Sequence, residues 1–326
     1  MEATDQAYYD RKLLERAQPL LVHAKFGQSR PLKTKSTKNV IFRRWEKLTP
    51  TTTALVESIT PLGTSLSKTD IMATLAQYGD FVTGSDMLEF TSRDEVLNEA
   101  ADVLGEQGGE SIDQVCRDVV VAGSAVACAE DSVGAIGTTR TNVDGLINAI
   151  MMDKVIRALQ IALAKPFTKL IKPGQAEGTT AILPSYWCIT HPEVYYTLRG
   201  VTGFVSVKDY PSQQEVMEGE VGSYKDIRFV STTFCKIFLG GGNTTTSGHK
   251  GTSSQEDVYA QPVFGRNAYA VVELSGHAME MITKQKGSAG TADPLDQRWT
   301  VGWKAIQTFK ILNDAFMYRM ETGAAS

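Results

Sequence analysis

The chain has 326 residues, 42% of them hydrophobic, and a formal net charge of −4 from 33 basic and 37 acidic side chains. That is the make-up of a globular protein with a core, and it argues against a disordered, fibrous or broadly nucleic-acid-binding chain. No apolar run approaches the ~18 residues of a membrane-spanning helix, because Asp153, Lys154, Arg157 and Lys165 interrupt the longest candidate, and the acidic start Met1–Asp5 lacks the layout of a secretory signal. Four cysteines (Cys116, Cys128, Cys188 and Cys235) stand far apart with no Cys-x-x-Cys pair. They read as thiols in a reducing compartment rather than as a disulfide framework or zinc module.

In chain order, the opening reads as a short helix: Asp5 caps it, Tyr9, Leu13, Arg16 and Leu20 share a face, and Pro19 ends it. About a dozen residues do not hold a helix in water unaided, so this one needs something to pack on. Residues 28–39 are basic and polar with Pro31 and no periodicity, an extended, dockable arm. Two β-patterned runs, Asn39–Leu48 and Ile71–Val82, flank a Thr/Ser/Pro-rich stretch and describe a protruding hairpin with a polar tip over Thr49–Ser67. An isolated hairpin is marginal, so it leans on another molecule.

Ser92–Glu95 then fits a capping box. Leu97, Ala101, Leu104, Gly108, Ile112, Val115 and Val119 follow at helical spacing, which predicts the longest helix, with an acidic opposite face. Gly105, Gly108 and Gly109 each cost about 1 kcal/mol against Ala and make it bendable. A second helix is expected from Asn142 to Lys165, capped by Thr141 or Asn142. Next come apolar Ala181–Ile189, the break at Thr190–Pro192, a short helix over Glu193–Arg199, and strands at Ile227–Ser231 and Thr233–Leu239. Gly240–Gly248 reads as a flexible loop, within a Gly/Thr/Ser-rich loop that runs on to Gln255. The remainder is β-rich, with strands at Tyr259–Phe264, Ala268–Leu274, Ala278–Lys284, Arg298–Leu312 and Ala315–Met320. The plan is α+β without internal repeats.

Charge is unevenly placed along this plan. Residues 1–50 hold eleven basic and five acidic side chains, a net +6, whereas residues 86–131 hold two basic and twelve acidic, a net −10. A basic arm and an acidic helix attract one another, within one copy or between copies. The donors expected there are Arg11, Lys12, Arg16, Lys33 and Lys35, and the acceptors Glu99, Asp102, Glu106, Glu110 and Asp113.

A search for chemistry finds little. Gly242–Lys250 imitates a phosphate loop, but His249 separates Gly248 from Lys250 and no helix follows. The four histidines lack metal-ligand spacing, and His191, between a strand and a helix, reads as a cap or packing residue before a general base. The carboxylates of the acidic helix lack a partnering histidine and describe a solvated or partner-binding surface, not a metal cluster. Trp299 and Trp303 alternate on a strand and belong to a core. No catalytic residue, metal site or cofactor is assigned, and the pattern favours a structural role.

The order of parts, with several phrases, resembles the major capsid proteins of tailed phages, the Hong Kong 97-type fold. The phrases are Tyr8–Arg16, Leu21–Gln28, Gln77–Val82, Leu104–Gln107, Gly219–Gly222, Gly287–Arg298 and Thr300–Lys304. They are most similar to the branch typified by the coat protein of the large Escherichia podophages, and the likeness runs from Tyr8 to about Glu321. The resemblance implies an N-terminal arm at 1–38, an extended β-arm (E-loop) at 39–85, and a peripheral domain at 86–138 and 255–326 with its spine helix at 92–122. An axial domain fills 139–254.

It further implies a subunit that self-assembles as pentamers and hexamers into an icosahedral shell around double-stranded DNA, held without sequence-specific binding. The place implied is the virion, after assembly in the host cytoplasm. The partners implied are a separate scaffolding protein, since the arm begins almost at Met1, with a portal and possible decoration proteins. A cellular cargo compartment built on the same fold, and a soluble enzyme with an unrecognised site, are the alternatives.

Overall fold

A computed structural model describes residues 21–35, 37–58, 60, 63–87, 96–130, 135–167, 184–210, 216–288 and 293–326. Strand β1 (Gln28–Ser29) precedes β2 (Asn39–Trp45), β3 (Lys68–Thr74) and β4 (Ala76–Ser85), and then comes the long helix α1 (Val96–Val121). Strands β5 (Val126–Glu130) and β6 (Ala135–Gly137) lead to helix α2 (Ala149–Ile161), and β7 (Tyr186–Thr190) to helix α3 (Pro192–Leu198). Short strands β8 (Phe204–Ser206), β9 (Glu220–Tyr224), β10 (Ile227–Ser231), β11 (Ile237–Phe238), β12 (Gly251–Thr252) and β13 (Gln255–Glu256) follow. The last strands are β14 (Val258–Phe264), β15 (Tyr269–Glu273), β16 (Glu280–Lys284), β17 (Arg298–Ile311) and β18 (Met317–Thr322).

The 14-residue β17 organises one sheet. Its residues Arg298–Gln307 pair antiparallel with Ser85–Ala76 of β4 along one edge. The other edge takes β16 and then β15, and β1 joins β15 in parallel. Side chains alternate across a strand, so Trp299, Val301, Trp303 and Ala305 face α1, where they share a core with Ala101, Leu104, Ile112, Cys116 and Val120. This is the helical stripe expected from the spacing, although the capping box at Ser92–Glu95 lies outside the described residues. Gly108 packs against Trp303, and a Cβ there would stand 3.1 Å from the indole. The opposite face of the sheet carries a smaller core, where Val40, Phe42, Ala73 and Leu75 of the hairpin pack over Ala270 and Val272.

A nine-stranded sheet runs β6-β5-β18-β14-β7-β10-β9-β8, with β11 paired to β14. One of its faces is covered by α2 and α3 through Met151, Met152, Val155, Leu159, Val194 and Leu198. From the other face, Trp187, Ile189 and Phe264 join the core beneath α1.

Several expectations change. The run Ile71–Val82 is two strands: up to Thr74 it pairs with β2, and from Ala76 it joins β17. An alternating pattern shows which face is buried but not which strand lies beside it. The division into 86–138 with 255–326 and 139–254 cuts through the nine-stranded sheet, because β5, β14 and β18 pair within the sheet of β7 and β10. Helix α2 starts later than expected, capped by Asn148, whose Oδ1 accepts from Met151 N at 2.8 Å. It ends where Leu163 turns left-handed at φ 58°. The strand expected at Thr233–Leu239 shrinks to Ile237–Phe238. Gly240–Gln255 is not a bare loop but holds the ribbon β12–β13.

Candidate assembly surfaces

The basic arm is anchored before it reaches the hairpin. His23 and Phe26 sit on a single 3-10 turn and are both buried. The His23 backbone N–H donates to Asp113 Oδ1 at 2.7 Å, and its Nδ1 lies 2.6 Å from Asp113 Oδ2. The Tyr269 hydroxyl donates to the His23 carbonyl. Phe26 enters an aromatic group with Trp187 and Phe264 at centroid distances of 5.2 and 5.3 Å. Burial pushes the thiol of Cys116 and the phenol of Tyr269 well up, and the Asp113 charge adds to both. Asp113 is therefore corrected: it is no acceptor offered to a neighbouring copy, but a fully enclosed carboxylate holding the arm of its own chain. Phe26, an apolar residue of the arm that needs something to pack on, finds it here, whereas His23 did not stand out in the sequence; the signal available was a lone histidine among Leu21, Ala24 and Phe26.

The hairpin β2–β3 buries one face on its own sheet and leaves the other bare. Opposite residues Ile41 and Met72 are 51% and 57% exposed, and Trp45, opposite Lys68, is 56% exposed. Between them Arg43 Nε donates to Asp70 Oδ1 at 2.8 Å, and that bond holds the Asp70 carboxyl below its ordinary range. A second unpartnered surface lies on the β4–β17–β16 face turned away from α1. Phe81, Gly302 and Ile282 stand side by side across the three strands, in a groove of about 700 Å³ edged by Lys284 and Lys304. Phe81 is 65% exposed. At Gly302 a Cβ would press on Phe81 and on the Asp80 carbonyl at 2.8 Å, so the groove floor requires glycine there.

The remaining charged candidates divide between two faces. Lys33 and Lys35 are exposed beside Leu75, Leu274 and Ile306, on the hairpin side of the sheet. Glu99 and Glu106 are exposed on α1, with Asp102 and Glu110 half-buried, on the opposite side. The sheet separates Lys33 and Lys35 from these acids within one chain. Arg11, Lys12 and Arg16 lie outside the described residues.

The chemistry set aside in the sequence has structural duties. His191 caps α3, its Nδ1 accepting from Glu193 N at 3.2 Å. The four cysteines are buried. Trp299 and Trp303 are core residues, and Trp303 Nε1 also donates to Gln107 Oε1, whose amide nitrogen reaches Asp80 at 2.7 Å. No group of three or more His, Cys, Asp or Glu among the described residues could hold a metal ion.

The likeness to known proteins is one of shape and not of sequence. No protein-family model matches the chain, and no curated protein is similar to it in sequence. Among solved structures, the capsid of Ralstonia phage GP4 is similar at TM-score 0.67 and 13% identity, over 92% of this chain and 88% of that one. The fold is the Hong Kong 97 type. The capsid of cyanophage P-SCSP1u matches at TM-score 0.58 and 15% identity, over 92% and 87% of the two chains. That of cyanophage Pam1 matches at 0.56 and 15%, over 90% and 87%.

Proposed function

We propose that the protein is the major capsid protein of a tailed phage, and that copies of it assemble into the icosahedral head shell around double-stranded DNA. The observation that carries this reading, beside the fold, is the pair of bare surfaces on one chain: the outer face of the hairpin and the groove at Phe81. Two different apolar patches on one subunit are what a head-to-tail contact needs, and such contacts close into rings and then into a shell. The outer hairpin face of one copy packs into the groove of the next. Each of these side chains is already partly buried, so covering the rest contributes about half of the roughly 1.5–3 kcal/mol of a full burial.

The charged residues fit the same scheme. Because the sheet keeps Lys33 and Lys35 from Glu99, Asp102, Glu106 and Glu110 within a chain, contact between neighbouring copies is the arrangement that joins them. Arg11, Lys12 and Arg16 are further basic donors in this reading. The role is structural rather than catalytic, and the place of action is the virion, after assembly in the host cytoplasm. A separate scaffolding protein, a portal and decoration proteins remain what the resemblance implies, and the packaged DNA is contents rather than a sequence-specific ligand.

Sedimentation velocity of the purified chain at rising concentration tests the reading. Rings and larger closed particles are expected as concentration increases. A single folded monomer at every concentration and salt would refute it.

A further inference from the structure

The residues Gly323–Ser326 are strapped to two loops. Gly323 N–H donates to Gly145 O, Lys250 N–H to Ala324 O and Ser326 N–H to Gly248 O, each at 2.9 Å. His249 and Ala325 form an antiparallel bridge. Under this strap lies Glu256, fully enclosed. Its Oε1 is 2.8 Å from His249 Nδ1, and its Oε2 has no hydrogen-bond partner among the described residues. Gly323 rests so closely on this carboxylate that any Cβ there would collide with it.

We propose that Gly240–Glu256 is a proton-operated clasp on Gly323–Ser326, in which His249 and Glu256 hold one proton between them and release the strap when they lose it. An enclosed carboxylate needs a countercharge or a proton. His249 is the partner the geometry supplies, and with one shared proton the pair is neutral overall. Burial raises the Glu256 carboxyl, His249 pulls it down, and Asp144 and Asp257 raise it again.

The other charged groups at this site are already engaged. Asp257 accepts from Gly240 N at 2.7 Å and Thr252 Oγ1 at 3.0 Å. Asp144 accepts from Asn243 Nδ2 at 3.2 Å. Lys250 reaches across to Glu193 of α3 at 2.7 Å, and the His191 ring packs tilted against Tyr259 with centroids 5.2 Å apart. Arg140, beside Gly241, is paired with Glu321 at 2.7 Å. Loss of the shared proton therefore leaves a bare carboxylate among two further acids, and the strap is the cover that must move to let water reach it. The clasped state holds a proton that the open state gives up, so the clasp weakens as pH rises.

Amide hydrogen exchange of the full-length protein, from about pH 6 to about pH 9 and corrected for intrinsic rates, tests the clasp. Protection of the Lys250 and Ser326 amides should fall with pH by up to about tenfold per unit, the limit for one linked proton, while the amides of β17 stay protected. In Glu256→Gln, which keeps the shape and removes the titrating group, the slope should vanish. A flat parent profile, or an unchanged slope in Glu256→Gln, overturns the proposal. If Glu256→Gln loses β17 protection, Glu256→Met, which also removes the titrating group, replaces it. Protection of the strap that does not vary with pH is then expected, and a slope like the parent's would overturn the clasp.

Discussion

The imidazole of His23 stands 2.6 Å from the carboxylate of Asp113, and the two residues are ninety positions apart in the chain. With the backbone N–H of His23 on the other carboxylate oxygen, Asp113 receives two donors from a single turn of the arm. The attraction between arm and acidic helix is thus met, at this one point, inside the subunit.

Asp113→Ala should free the arm without unfolding the rest. The substitution leaves two buried donors without an acceptor, at a cost of about 1–3 kcal/mol each. Trypsin should then cut after Lys25 much faster than in the parent, while the helix α1 fragment stays intact. Unchanged cleavage would show that Phe26 and β1 hold the arm alone.

Replacing the outer hairpin face should separate assembly from folding. Ile41, Trp45 and Met72 are all more than half exposed, so changing the three to Ser should move subunit stability by no more than about 0.5 kcal/mol for each site. Sedimentation should show loss of large particles, and calorimetry an unchanged melting temperature. A large drop in melting temperature with assembly intact would assign this face to the core.

How much of this was legible in the sequence depends on the range of the interaction. The stripe Ala101, Leu104 and Ile112 is local, and its periodicity alone places α1. The partner of β4 is not local: Gly79 and Lys304 meet across more than two hundred residues, and the alternation in Ile71–Val82 is the same whichever strand lies beside it. That is why one expected strand became two, and why the domain division crossed a sheet. Asp113 looked like its neighbours Glu106 and Glu110 because a helical charge pattern does not show which acid has a distant partner. The Asn148 cap was hidden for another reason: Thr141 and Asn142 offer the same cap chemistry a few residues earlier.

Charge reversal should test whether the two faces meet between copies. Lys33→Glu with Lys35→Glu, and separately Glu99→Lys with Glu106→Lys, should each lower the salt concentration at which assemblies dissociate. The combined set should recover part of the loss. Each exposed pair is weak and screened by salt, but a repeated contact multiplies a small term. Absence of recovery in the combined set would mean these residues face different neighbours.

The buried thiols give a pH dependence of known sign. Burial first, and then the Glu321 charge, pushes Cys128 up to about 12, whereas an unfolded thiol releases its proton near 8.5. Above that point the unfolded state loses protons that the folded state keeps, so stability should fall with rising pH by at most about 1.4 kcal/mol per unit for this thiol. Urea midpoints measured between about pH 7 and about pH 10 should decline, and Cys128→Ser should flatten the decline. A midpoint independent of pH would show that Cys128 is open to solvent.

Electron microscopy of the purified protein tests the central claim most directly. Closed, empty or DNA-filled shells whose surfaces resolve into clusters of five and six subunits are expected, with the β2–β3 hairpin of each copy lying over the Phe81 groove of its neighbour. Dispersed single subunits, or shells built around a cellular cargo protein, would contradict it.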